Sequence, residues 1–191
     1  MEYRISKKEL FDVLAAWDSF LNKKVHLIAC GGTAMTLLGI KESTKDIDFL
    51  VPNEKEYDYL LKKLKQLGYR SVSGSGWAKD NHFIFDLFRG KRVHTTELIE
   101  SPLKENNHLL INEYQHIYLG VLNYYDLIIS KLFRASFVDI NDCLDLMFAR
   151  GNEIDIKRLA ARFKETASFD IAEKRMNDNL SHFLMVLKKK D

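Results

Sequence analysis

Proline is scarce in this sequence, at two residues in 191, and glycine is held to nine. That composition excludes proline-rich or glycine-rich linkers, collagen-like repeats and low-complexity disorder. Cysteine is equally sparse. Cys30 and Cys143 stand far apart, match no metal-ligand or redox spacing, and sit among apolar neighbours, as buried thiols in a reducing cytoplasm would. No apolar run approaches the length of a membrane span, and the opening MEYRISKKEL has no apolar signal core. The expectation is a cytoplasmic protein with no membrane partner. A strong charge of either sign is also missing: the net charge is +2, so any contact with nucleic acid must be local. The basic run Lys188 to Lys190 reads as a solvated helix end.

What is present is enough for a sizeable core, with 46% hydrophobic and 12% aromatic residues. Ser6 and Glu9 form a capping box ahead of Leu10, Val13, Leu14, Trp17 and Leu21 at helical spacing. VHLIAC, Val25 to Cys30, reads as a buried strand, and Gly31-Gly32 leads into a short helix that stops at Gly39. Asp46 to Val51 alternates as a strand, with Ile47, Phe49 and Val51 on one face and Asp46, Asp48 and Leu50 on the other. A helix from Asn53 to Gly68 follows, then a strand at Tyr69 to Val72. SGSGWAKDN is a flexible loop by composition. His82 to Phe88 reads as a strand, Arg89-Gly90-Lys91 as a turn and Val93 onward as its hairpin partner. The stretch Leu98 to Gln115 is ambiguous, with a short strand at Leu109 to Ile111. Beyond Val121 only helices are expected: Tyr124 to Ser136, Ile140 to Arg150, Ile156 to Thr166 and Ile171 to Lys189. The fold class is α+β, a mixed α/β unit over residues 1–121 followed by a helical region over 122–191.

The chemistry concentrates in GGTAMTLLGIKESTKDIDF, Gly31 to Phe49. Residues two apart on a strand share a face with Cα atoms roughly 6.5 to 7 Å apart, and two ionised carboxylates there repel by about 2 to 3 kcal/mol at an effective dielectric near 20. Divalent cations reverse the sign of that cost, because hard oxygens then converge on a positive charge. Asp86, inside the apolar run FIFDLF, is a third carboxylate that needs such a partner. Gly31 and Gly32, between a strand and a helix, let backbone amides approach phosphate oxygens, and the Thr33 hydroxyl follows them.

An apolar residue, Gly-Gly, thirteen residues and then Asp-apolar-Asp-apolar resembles the signature of the nucleotidyltransferase superfamily typified by DNA polymerase β. The resemblance implies a nucleotidyltransferase-like mixed sheet with flanking helices. It also implies two Mg²⁺ or Mn²⁺ ions on Asp46, Asp48 and the later-strand Asp86, with a nucleoside triphosphate as substrate. Asp126 to Leu132, followed by Asp139 and Asp142, is similar to small prokaryotic members of the abortive-infection toxin type. That similarity makes Lys131 a phosphate ligand, with Asp139 and Asp142 as an accompanying acidic pair, and raises a toxin–antitoxin partner. Thr44 is retained from the same pattern. Glu42 stands where those relatives often carry arginine, and Val138 where a basic residue usually precedes the first late aspartate. Asp139 reads equally well as a helix N-cap.

The reaction implied is nucleotidyl transfer to an acceptor hydroxyl on an RNA end, a protein or a small molecule. The alternative is a non-catalytic nucleotide- or partner-binding module on the same fold. His26, His82, His94, His108, His116 and His182 show no metal-ligand spacing and read as ordinary residues. Trp77 reads as a loop anchor or a stacking surface.

Overall fold

A computed structural model of the chain describes residues 4–79 and 83–190. The chain enters through β1 (Ile5–Ser6) and α1 (Lys7–Asp18). The capping box forms as the sequence dictates: the Ser6 hydroxyl accepts from the Glu9 amide at 3.3 Å, and the Glu9 carboxylate accepts from the Ser6 amide at 2.8 Å. Leu10, Leu14 and Trp17 are buried. The Trp17 indole donates to the Tyr69 hydroxyl at 3.1 Å and lies 4.5 Å from the Phe85 ring, fixing α1 to the sheet. β1 pairs antiparallel with β3 (Ser43–Thr44), a pairing too short for any periodicity in the sequence to announce.

After α1 come β2 (Val25–Ala29), α2 (Gly31–Leu37), β4 (Ile47–Val51) and α3 (Glu54–Gln66), which Asn53 caps through the amides of Lys55 and Glu56. Next are β5 (Arg70–Ser73), β6 (Gly76–Ala78) and β7 (Ile84–Arg89), then the short pair β8 (Arg92–Val93) and β9 (Thr96–Glu97). β10 (His108–Glu113) and β11 (Ile117–Leu122) complete a seven-stranded mixed sheet in the order β10-β11-β2-β4-β7-β6-β5. β4 runs antiparallel to β2 and parallel to β7. All five of its residues are buried, so its alternation does not divide core from solvent. A strand at mid-sheet with helices packed on it has no solvent face.

Two expectations are corrected, and one stretch on which the sequence was silent gains a structure. Ser73 to Ala78 is not a flexible loop: Ser73 pairs with Gly76 and Arg70 with Ala78 in a tight hairpin whose turn holds Gly74 at φ 42°. Asp80, Asn81 and His82 of this region lie outside the described residues. Val93 does not fold back on β7 but hairpins with Thr96. IYLGVL, left without a structure by the sequence, is β11, parallel to β2 and flanked by it and the edge strand β10. Its Gly120 is a packing requirement, since a Cβ there would stand 2.9 Å from Ile28 Cδ1 and 3.2 Å from the Leu109 carbonyl oxygen.

The C-terminal half is helical as expected: α4 (Tyr124–Arg134), α5 (Phe137–Arg150), a 3₁₀ turn at Gly151–Glu153, α6 (Ile156–Ala167) and α7 (Glu173–Lys190). α4 packs on α2, β9 and β11, so the helices continue the core of the sheet. Arg162 on α6 holds the buried Asp126 carboxylate by two bonds of 2.7 and 2.8 Å. Removing the guanidinium strands a buried charge, at a cost of about 3 to 5 kcal/mol. Arg162→Met is therefore expected to lose stability on that scale in urea denaturation, and Arg162→Met with Asp126→Leu to recover much of it.

Candidate active site

The C-terminal edge of β2, the start of α2, β4 and β7 meet at one polar cleft of about 220 Å³. Its lining includes Gly32, Thr44, Asp46, Asp48, Asp86 and Lys131 from the sequence-derived set, with His94, Arg134, Asp139 and Asp142 beside them. A larger cavity of about 570 Å³ lies at the far side of the C-terminal helices, among Leu144, Met147, Phe148, Ile156 and Leu187. It is mostly apolar and gathers a single charged side chain, Asp145, whereas the smaller cleft gathers Asp46, Asp48 and Asp86 together with Lys131.

Asp48 sits within β4, 6% exposed, directly opposite Asp86 on β7. Parallel pairing in register places these two carboxylates on neighbouring strands at one level of the sheet. Asp46 lies one residue before β4 begins and is exposed, so it approaches from the loop and not from a shared strand face. That loop is tied down by two hydroxyls. Thr33 donates to the Asp46 carbonyl at 3.2 Å and accepts from the Asp48 amide at 2.9 Å, while Thr44 donates to the same carbonyl at 2.9 Å.

The two glycines make room for these groups. Gly31 has φ 56°, and a Cβ there would lie 2.3 Å from Asp48 Oδ2. At Gly32 a Cβ would lie 2.5 Å from the Thr44 hydroxyl oxygen. In this structure the space that the missing side chains leave is occupied by the protein's own carboxylate and hydroxyl. Asp86 receives a hydrogen bond of 2.6 Å from the Ser75 hydroxyl, so the turn of the β5–β6 hairpin braces it. Trp77 is buried under Lys65, whose ammonium lies 5.5 Å from the ring centroid, and it anchors the hairpin.

Facing the carboxylates is a wall of paired cations. Lys131, 2% exposed, donates to Asp142 at 2.6 Å and stands 3.8 Å from Asp139. Lys41 also pairs with Asp142, and Arg134 donates to Asp139 at 2.6 Å. Asp139 is not the N-cap of α5. Ser136 is, accepting from the Asp139 amide, while the Asp139 carboxylate accepts from the Ser136 hydroxyl at 2.7 Å. Burial pushes Asp139 up, but the hydrogen bonds from Arg134 and Ser136 and the Arg134 charge together hold it below its ordinary range.

Asp48 is perturbed in the opposite direction. Burial first, then the Asp86 carboxylate, push it up to about 7, with Asp46 adding to the rise and Arg134 and Lys131 opposing it. His94, which the sequence did not single out, lies 3.7 Å from Asp48 Oδ1 through Nε2. Burial, and after it the Arg134 charge, hold this imidazole down to about 4. Among the described residues, no group of three His, Cys, Asp or Glu side chains already stands close enough to hold a metal ion. The donor set nevertheless suits one: a buried carboxylate destabilised by two others, and an imidazole nitrogen without a hydrogen-bond partner among the described residues.

A family model described as "Nucleotidyltransferase of unknown function (DUF6036)" matches residues 8–190. No curated protein matches the sequence. A crystal structure of a "putative nucleotidyltransferase" from Thermotoga maritima is similar, at 17% identity and a TM-score of 0.46, covering 68% of this chain and 87% of that one. A second, from H. pylori and likewise called a "putative nucleotidyltransferase", has 14% identity and a TM-score of 0.49, covering 98% and 99%. No helix among the described residues is long and apolar enough to cross a membrane.

The raised Asp48 has a consequence for stability. A carboxyl whose folded value lies above its unfolded value stabilises the fold fully below the unfolded value, and that contribution is lost as pH rises through the folded one. From 3.8 to about 7, at 1.36 kcal/mol per unit, the difference is at most roughly 4 kcal/mol. Asp48→Asn is expected to match wild type near pH 4 and to exceed it by up to about that amount above pH 7, in urea melts run with a chelator. A gap independent of pH would remove burial of a charge as the cause.

Proposed function

The chain belongs to the DUF6036 family of nucleotidyltransferases of unknown function, and on that premise we propose that its cleft transfers a nucleotidyl group from a nucleoside triphosphate to an acceptor hydroxyl, releasing pyrophosphate. The observation that carries this reading is the register of β4 against β7, which sets the buried Asp48 opposite Asp86. Two divalent ions, Mg²⁺ or Mn²⁺, held by Asp46, Asp48 and Asp86, would neutralise the triphosphate and acidify the acceptor hydroxyl. The protein's own groups do the rest. Asp86, braced by Ser75, takes the proton from the acceptor hydroxyl. The acceptor oxygen forms its bond to the α-phosphorus as the bond to the bridging oxygen breaks and pyrophosphate leaves.

Gly32, which lines the cleft, brings its backbone amide toward the β- and γ-phosphates, while Gly31 serves the nucleotide by making room for the Asp48 carboxylate. Thr33 and Thr44 serve the nucleotide by fixing the Asp46 loop, whose carbonyl both hydroxyls hold. Lys131 counters the phosphate charge from the opposite wall. Charge balance supports the substrate class. The cleft is lined by five cationic side chains (Arg4, Lys41, Lys45, Lys131 and Arg134) and five aspartates, and a triphosphate carrying two divalent ions adds almost no net charge. Catalysis on this reading is positioning and electrostatic stabilisation.

Incubation with each α-labelled triphosphate, divalent metal and cell extract tests the proposal and names the acceptor. Label is expected on RNA, on a protein or on a small molecule, and a toxin–antitoxin role predicts one of the first two. Asp46→Asn with Asp48→Asn should lower transfer at least about a hundredfold, and equal rates would sink the metal assignment. Asp86→Asn should lose transfer by about 10²- to 10⁴-fold while retaining metal-dependent triphosphate binding. If calorimetry finds no such binding in wild type, the fold serves as a non-catalytic module instead.

A further inference from the structure

We propose that His94 is a nitrogen ligand to the divalent ion at Asp48, and that it biases the cleft toward cations that accept imidazole, Mn²⁺ and Co²⁺ over Mg²⁺. The presence of an ion rests on the nucleotidyl-transfer reading; the role of His94 rests on three observations of its own.

The first is an orphan. His94 Nε2 is buried and finds no hydrogen-bond partner among the described residues, although a buried polar nitrogen is ordinarily satisfied. The second is its distance of 3.7 Å from Asp48 Oδ1. That is too long for a hydrogen bond. It is close to the spacing of two donors on adjacent vertices of one ion, which at bonds of about 2.1 Å is about 3 Å. The third is the backbone. His94 is the first central residue of the two-residue turn between β8 and β9, with φ 52°. Glycine is the usual residue where such a turn needs a positive φ, and a strained residue that persists points to a demand on its side chain.

The surroundings fit a ligand. The ring packs edge-on against Phe88, with centroids 4.5 Å apart, which limits its orientations. Mg²⁺ holds to oxygen donors, and affinity for a nitrogen donor rises along the first row from Mn²⁺ to Co²⁺, so one imidazole among carboxylates shifts the preference, more for Co²⁺ than for Mn²⁺, without abolishing Mg²⁺ binding.

The experiment uses the full chain with MnCl₂ and MgCl₂. Pulsed EPR of the Mn²⁺-loaded protein is expected to show nitrogen modulation from a coordinated imidazole. His94→Gly, which removes the positive-φ strain, and His94→Asn, which tolerates it, should both lose that modulation with an unchanged or higher melting temperature. Their Mn²⁺-over-Mg²⁺ affinity ratio by calorimetry should fall about tenfold. Mn²⁺ binding that depends on Asp48 but shows no nitrogen modulation in wild type overturns the role of His94 and leaves the proposed function standing. Absence of any Asp48-dependent Mn²⁺ binding overturns both.

Discussion

Asp48 lies where β4 runs between β2 and β7, and its buried carboxylate takes room, alignment and charge from separate stretches of chain. Room comes from Gly31, whose missing Cβ leaves the place where Oδ2 sits. Alignment comes from Thr33, which binds the Asp48 amide and the Asp46 carbonyl with one hydroxyl. Company comes from Asp86 across the ladder, and that company raises the cost of ionisation. Much of the local sequence between Gly31 and Phe49 is therefore explained by one requirement, that of keeping a carboxylate buried at mid-sheet and accessible to one polar cleft.

The opposite wall answers a different constraint. Lys131 is too deeply buried to stand as a free cation, and Asp142 compensates it at hydrogen-bond distance. Asp142 also holds Lys41, and Asp139 holds Arg134. These pairs let a helix of the C-terminal half carry positive charge into the interior without net accumulation. The wall therefore presents donors that the acidic pair has already oriented and partly neutralised.

The mixed α/β class and the helical C-terminal half were legible because amphipathic periodicity, capping residues and turn chemistry agreed over most segments. Ser6 with Glu9 and Asn53 with Lys55 and Glu56 act through local backbone, and such signals survive in one dimension. Asp46, Asp48 and Asp86 were expected together, as ligands of shared metal ions; the register that sets Asp48 opposite Asp86 is a property of the sheet. β11 escaped notice because a short apolar run followed closely by a helix has no distinctive period. Ser75 was hidden in a stretch whose glycines and serines spell flexibility, yet the turn they form is tight. His94 was invisible for a simpler reason: its neighbours in sequence are a turn, while its neighbours in space are Asp48 and Phe88.

The pairing of β1 with β3 belongs to the cleft, whose lining includes Arg4, Ser43 and Thr44. Ile5 lies opposite Thr44 in the ladder, and the Arg4 guanidinium binds both the hydroxyl and the carbonyl of Ser43. Thr44 in turn holds the loop that carries Asp46. The point where the chain enters the fold is thus mechanically joined to the most exposed of the three carboxylates. The β1–β3 ladder and the hydroxyl of Thr44 thus form one continuous support that reaches the Asp46 carbonyl.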